Sequence, residues 1–161
     1  MIFVTVGTHE QQFNRLIECI DNLKAQGKIE DKIVMQTGFS TYEPKNCEWS
    51  KLYSYDEMQK NIDEARIVIT HGGPSSFVAP LQVGKIPIVV PRKYSFDEHI
   101  NDHQLDFCRE VEKRNKNIIL VEDIENMEEI IVNYDSIVAK MTIGVKSNNQ
   151  RFCDELEKLF I

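Results

Sequence analysis

Apolar runs of four or five residues alternate with amphipathic stretches along most of the chain. Ile2 to Val6 is apolar apart from one threonine and stops at Gly7-Thr8-His9, after which Phe13, Leu16, Ile17, Ile20 and Leu23 recur at helical spacing. This predicts a strand, a loop and an amphipathic helix ended by Gly27. Lys32 to Gln36 predicts a second strand, broken by Gly38. The polar stretch from Phe39 to Ser50, with its Pro44, reads as loop, and Leu52-Tyr53 as a short strand. Ser54 and Glu57 have the spacing of a capping box, which starts a helix running to about Glu64.

Arg66 to Thr70 and Ile86 to Val90 are rich in β-branched residues, too short for helices and too apolar for half-exposed strands. Both predict strands inside a parallel sheet covered on its two faces. Between them Pro74 suits a first helical turn, where the N–H it lacks would have had no partner, and Gly84 closes that helix. A helix over Asn101–Lys113, a strand over Asn117–Val121 and a short helix over Glu125–Val132 follow. A closing helix from about Asn148 places Phe152, Leu156, Leu159 and Phe160 on one face. The alternation predicts an α/β fold with a doubly wound, Rossmann-like parallel sheet. At 161 residues, with 42% hydrophobic and 28% charged, the chain suits one domain over 1–161 and is short for two.

In such a sheet the carboxyl ends of the strands lie along one edge, so the loops leaving them converge on one crevice. One loop is Thr70-His71-Gly72-Gly73-Pro74-Ser75-Ser76; the next runs from Pro91-Arg92 into Asp97-Glu98-His99-Ile100-Asn101-Asp102-His103-Gln104. Gly72 and Gly73 let the backbone turn sharply and approach a ligand, while Ser75, Ser76 and Phe77 open a helix. Unpaired N–H groups and the positive end of the helix dipole favour an anion such as a diphosphate. The same pattern also fits a tight glycine turn without ligand, with His71 as an ordinary strand-end residue. No Gly-Lys-Ser/Thr follows, so the turn is not a P-loop.

The run from Glu98 to Gln104 mixes carboxylates, amides and imidazoles, which suits sugar hydroxyls that both donate and accept. It equally fits a solvated loop with an Asn101 or Asp102 cap. His99 and His103 stand four apart beside Asp102, a spacing that can ligate a metal from one helix face, but Ile100 fills the glutamate place of HExxH and no third ligand is evident. Gly7-Thr8-His9 should face the same crevice. His9 is a candidate general base, since imidazole titrates near ~6.5, or a hydrogen-bonded surface histidine. Arg92 either neutralises phosphate or pairs with Asp97.

The formal charge of -7, with no basic stripe, argues against nucleic acid and anionic membrane surfaces as partners. Cys19, Cys47, Cys108 and Cys153 form no CxxC pair and no signal peptide opens the chain, a pattern expected of reduced thiols in a cytosolic protein. No apolar run approaches the roughly 20 residues that span a bilayer, so any membrane association is expected to come from another anchor.

Together Val4-Thr5-Val6-Gly7-Thr8, His71-Gly72-Gly73-Pro74-Ser75-Ser76, Gly84-Lys85-Ile86-Pro87-Ile88-Val89-Val90-Pro91-Arg92 and Glu98-His99-Ile100-Asn101-Asp102-His103-Gln104 resemble the carboxyl-terminal domain of family 28 glycosyltransferases. The resemblance spans almost the whole chain and is strongest to single-domain forms. These are the catalytic subunit of a two-subunit N-acetylglucosaminyltransferase of N-glycan precursor synthesis and bacterial capsular and exopolysaccharide subunits. It implies one half of a glycosyltransferase-B fold, the half that holds a UDP-sugar.

By that resemblance Gly72, Gly73, Ser75 and Ser76 cradle the diphosphate, Asn101, Asp102 and Gln104 contact the sugar, and Gly7 and Thr8 face the donor. His71, Arg92 and Glu98 complete the expected donor-binding set. Many relatives carry a ribose-binding glutamate in the helix after the glycine turn, and here Pro80 is expected at its place. The implied partner is a membrane-anchored, acceptor-binding subunit that brings a lipid-linked saccharide. The closing helix either docks on that partner or packs on its own domain. The expectation is thus a cytoplasmic donor-binding subunit, recruited to the inner face of the membrane, of a heteromeric inverting transferase that needs neither metal nor cofactor. The rival readings are a non-catalytic nucleotide-binding module and a metal hydrolase built on His99, His103 and Asp102.

Overall fold

The structure is a computed structural model that describes residues 1–141 and 153–158. Its elements are β1 (Ile2–Thr5), α1 (Asn14–Ala25), β2 (Ile33–Gln36), β3 (Glu48–Ser50), α2 (Tyr55–Glu64), β4 (Ile67–His71) and α3 (Pro74–Gln82). After them come β5 (Ile88–Val90), a 3-10 turn at Tyr94–Phe96, α4 (His103–Asn115), β6 (Ile119–Leu120), a second 3-10 turn at Ile124–Asn126, α5 (Met127–Val132) and α6 (Tyr134–Met141). The strands form one sheet in the order β3-β2-β1-β4-β5-β6, and every pairing is parallel. Strand β1 sits at the centre, with Val4 between Met35 and Ile69.

Alternate residues of these strands feed two apolar layers. Ile2, Val4 and Val6 pack with Phe13, Leu16, Ile17 and Ile20 of α1 and with Met127 and Ile131 of α5. On the other face Phe3, Val34 and Val68 meet Ile62 of α2, while Val89 meets Phe77 and Leu81 of α3 and Val111 of α4. Each such side chain contributes about 1.5–3 kcal/mol by leaving water. Coverage on both faces is why the strands read as unbroken apolar runs instead of alternating ones.

The stretch expected as loop contains β3, and Leu52-Tyr53 is not a strand. Strand β3 lies at the sheet edge, pairs with β2 alone and has Trp49 as its one apolar residue, too little for periodicity or apolar content to mark it. Buried Asp21 of α1 organises the segment before it, accepting hydrogen bonds from the Tyr42 hydroxyl (2.7 Å) and the Asn46 amide (2.8 Å). Burial alone would raise the Asp21 pKa, but the hydrogen bonds from Tyr42, Asn46 and Lys45 hold it below its ordinary value.

The capping box is present: Ser54 Oγ accepts from the Glu57 amide (3.2 Å) and Glu57 Oε2 from the Ser54 amide (2.9 Å). Ser54→Ala should therefore cost about 1 kcal/mol. Thermal unfolding should show it as a midpoint about 2–4 °C lower; an unchanged midpoint would mean that α2 is held by packing alone.

Helix α4 begins at His103, not Asn101, because Asn101 Oδ1 accepts the His103 amide and delays the first turn. Strand β6 is shorter than expected, and the segment from Glu125 starts as a 3-10 turn capped by Asp123. Helix α6 was not foreseen; its Tyr134 is buried and donates its hydroxyl to the Ile86 carbonyl (2.6 Å). Residues 153–158 are helical, and Cys153 and Leu156 pack into the layer of α3 and α4. Phe152, Leu159 and Phe160 lie outside the described residues. Among the described residues no helix is long and apolar enough to cross a membrane.

Candidate functional site

The strand order reverses between β1 and β4, and the loops leaving those two strands diverge there to leave a crevice. A cleft of about 550 Å³ opens at that point. Its floor is polar because the buried strands end in polar residues held in register, Thr5 beside Gln36 and Thr70. Thr5 Oγ1 donates to Gln36 Oε1 and accepts from the Gly7 amide, which fixes the start of the first loop. Gly7, Thr8, His9, His71, Ser75, Ser76 and Gln104 all line the cleft, so the three predicted segments do converge.

His71 is the hub of the glycine turn. Its Nδ1 accepts the Gly73 amide (3.1 Å), so the neutral ring carries its proton on Nε2, and its side chain also bonds Gln104. A Cβ on Gly73 would stand 2.4 Å from His71 Cε1, and one on Gly7 2.4 Å from His71 Nε2. A Cβ on Gly72 would stand 2.8 Å from the Cys108 thiol. The glycines are therefore required first by the chain's own imidazole and thiol. Gly7 is doubly constrained, since its φ of 75° lies in the left-handed region.

Burial, reinforced by the Arg92 charge, pushes the His71 pKa down to about 3. Between about 6.5 and 3 the unfolded chain binds a proton at this histidine that the folded chain refuses, so stability falls as pH falls through that window. The expected slope from this group is about 1.4 kcal/mol per pH unit. Urea unfolding at pH 7, 6 and 5 should show it, and His71→Gln should remove it. An equal slope in that variant would assign the acid sensitivity to other groups.

Arg92 and Glu98, both expected at the donor, belong instead to the frame. The Arg92 side chain is 0% exposed, and its guanidinium donates to the carbonyls of Val6 (2.7 Å), Gln11 (2.8 Å), Glu98 (3.0 Å) and Gln12 (3.2 Å). It clasps the loop after β1 to the loop after β5, and among the described residues its guanidinium makes no ion pair with Asp97. The buried Glu98 carboxylate is held by Arg15, with Nε at 2.9 Å and Nη2 at 3.0 Å, and by the Lys93 amide. Arg15 was not foreseen; on an amphipathic helix nothing separates it from a solvated cation.

In the run after β5, Asp102 Oδ1 accepts the Tyr94 amide, Asn101 caps His103, and Gln104 Oε1 accepts the Arg92 amide. Gln104 is the member that reaches the cleft lining. Ser76 turns its hydroxyl back onto the carbonyls of His71 and Gly73, whereas Ser75 is exposed at the first turn of α3. Pro74 has no N–H and the Ser76 amide, expected to be unpaired, donates to the Gly73 carbonyl (3.0 Å), so the Ser75 amide is the donor this first turn offers an anion. Along α3 it is Ala79 that lines the cleft, while Pro80 is buried. Tyr55 and Gln59 of α2 form the facing wall, unanticipated because an exposed helix face carries no ligand signal.

His9 lies at the cleft, its Nε2 on Gln11 Oε1 (2.8 Å) and its ring stacked on His99. His99 Nδ1 accepts the Asn101 amide, and among the described residues no three His, Cys, Asp or Glu side chains come together as a metal site. His99, His103 and Asp102 thus do not form the metal triad considered from the sequence.

Similarity to known proteins agrees with this geometry. The human UDP-N-acetylglucosamine transferase subunit ALG13 is 33% identical over 121 residues, and the mouse protein of the same name is 29% identical over 122. These stretches cover 70% and 69% of this chain, which spans 10% of the length of either relative. Among solved structures, SnogD from Streptomyces nogalater superposes with a TM-score of 0.62 at 14% identity, covering 99% of this chain and 42% of that one. MurG of Acinetobacter baumannii superposes at 0.57 and 16% identity, covering 96% of this chain and 49% of that one. Both share the fold. Residues 1–140 match the glycosyltransferase family 28 C-terminal domain. A switch-point cleft closed by a glycine turn, on a chain that matches along most of its length, places this protein in that family.

Proposed function

We propose that the chain is the donor-binding, catalytic subunit of a heteromeric inverting glycosyltransferase. It moves a hexose (galactose, glucose or N-acetylglucosamine) from a UDP-sugar to a polyprenyl-linked saccharide in capsular or exopolysaccharide synthesis. The observation that carries this reading is the first turn of α3, presented by a turn of two glycines at the switch point, with Ser75, Ser76 and Gln104 all lining the cleft. A diphosphate placed there receives the Ser75 amide and the positive end of the helix, which stabilises the charge that grows as the glycosidic bond to phosphate breaks. That field does the work a metal does elsewhere, so neither metal nor cofactor is needed. The acceptor hydroxyl attacks the anomeric carbon from the opposite face, and His9 takes its proton.

A partner subunit supplies the acceptor site. The neighbouring structures are about twice as long as this chain, and ALG13 is named as a subunit. Exposed apolar residues lie in the segments that follow the strands: Phe39 after β2, Leu52 and Tyr55 (82% exposed) after β3, and Tyr94, Phe96 and Ile100 (71% exposed) after β5. In the proposed complex they meet a membrane-anchored partner subunit that closes over the donor and holds the chain at the inner face of the membrane.

Two measurements test this. Ser75→Asp places a carboxylate at the proposed diphosphate position on an exposed residue, so UDP affinity should fall about tenfold or more, equivalent to about 1.4 kcal/mol, without loss of thermal stability. Unchanged affinity would refute the diphosphate assignment. Sugar transfer from UDP-sugar to a lipid-linked acceptor should appear only when the partner subunit is added. UDP binding with no transfer in the presence of partner and acceptor would favour the non-catalytic module.

A further inference from the structure

We propose that His99 is a positioning residue for His9: its imidazole lies flat on the His9 ring and holds that ring with its Nδ1 lone pair free to accept a proton. This rests on the transferase reading for its consequence, but the arrangement stands on geometry. The ring centroids are 4.6 Å apart and the planes differ by 4°. His9 belongs to the loop after β1 and His99 to the run after β5, so the stack bridges two loops over the turn that follows β4, the strand lying between theirs in the sheet.

Each ring is also fixed on its own loop. The Gln11 amide oxygen can only accept, so His9 Nε2 carries the proton and Nδ1 the lone pair. His99 Nδ1 accepts the Asn101 amide (3.4 Å), which leaves the proton of the neutral ring on Nε2.

The charged and titratable groups set against His99 are His9 from the loop after β1, Arg92 from the end of β5, and His103 and Asp102 from the start of α4. His71, on the loop after β4, interacts with both His9 and His99. Burial first, then the neighbouring His9, Arg92 and His103, holds the His99 pKa below its ordinary value. At neutral pH His99 is therefore a neutral aromatic plane. The imidazolium formed when His9 takes a proton then lies over a ring face, a favourable arrangement, while a second proton on the pair meets like charge. In the transfer step the acceptor O–H breaks and N–H forms on His9 Nδ1. The acceptor oxygen bonds the anomeric carbon, and the carbon–oxygen bond to phosphate breaks, its electron pair leaving with the diphosphate.

The stack is tested on the isolated chain with nitrogen-15-labelled histidine followed by magnetic resonance through a pH titration. His99 should titrate below an ordinary imidazole, and His9→Gln should move it up by at least about half a pH unit; an unmoved His99 titration overturns the stack. The positioning role is tested in the complex with the partner. His99→Ala should lower kcat about ten- to a hundredfold with the donor KM within about twofold, and His99→Phe, which keeps a flat ring, should restore most of it. Wild-type kcat in His99→Ala overturns the role. A wild-type complex that transfers no sugar refutes the transferase reading and the base assignment together, whatever the resonance titration shows of the stack.

Discussion

Replacing Gly73 with alanine is expected to lower both folding stability and UDP affinity, although alanine suits the backbone there. The added methyl would stand 2.4 Å from His71 Cε1, so the buried ring or the turn must shift to admit it. Forced overpacking of this kind costs about 1–3 kcal/mol. Since the Gly73 amide donates to the same ring, the turn that presents the first residues of α3 must shift with it. UDP affinity should drop at least about tenfold. The double variant Gly73→Ala with His71→Ala isolates the cause. Without the ring the Gly73 change should cost about 1–2 kcal/mol less, and an equal cost in both backgrounds would show that the ring is not what the glycine accommodates.

Arg92→Leu is expected to be more damaging still, with a loss of about 3–5 kcal/mol in urea unfolding. The substitution strands the buried carbonyls of Val6 and Glu98, each costing about 1–3 kcal/mol when left unpaired, and releases the half-buried carbonyls of Gln11 and Gln12. It also removes the cation that lies 5.0 Å from the centre of the Phe13 ring. Burial lowers the Arg92 pKa to about 10, still far above neutrality, so the charge is present throughout the working range. Arg92→Lys should be intermediate, because an ammonium cannot reach carbonyls on both loops. The two roles considered for this residue separate cleanly. A phosphate-neutralising arginine would lose UDP affinity with stability intact, whereas the clasp loses stability first.

Much of the fold was legible because burial on both sheet faces writes itself into composition. Strands β1, β2, β4 and β5 are largely apolar runs, α2 carries its capping box, and α1 and α3 are followed by glycines in the left-handed region, Gly27 and Gly84. Strand β3 was missed for the complementary reason: an edge strand exposed to water is not obliged to be apolar. Helix α6 went unread although Tyr134, Ile137, Val138 and Met141 recur at helical spacing and pack against the core, so its signal was present in the sequence.

At the site, the convergence of Gly7-Thr8-His9, His71-Gly72-Gly73 and the run to Gln104 followed from strand order alone. What sequence cannot assign is the direction in which a polar side chain spends its hydrogen bonds. Arg92, Glu98 and Ser76 have residue types suited to a ligand, and all three turn inward to backbone or to Arg15. Gly73 likewise has the signature of a phosphate turn, while the atom it makes room for is a carbon of His71.

The donor site itself is best tested by titrating UDP into the purified chain in a calorimeter at neutral pH with EDTA present. Saturable one-to-one binding tighter than about 1 mM, weakened by Ser75→Asp, is expected. Absence of binding by the folded chain, or binding that appears only when a divalent cation is added, would contradict a diphosphate site made by the first turn of α3.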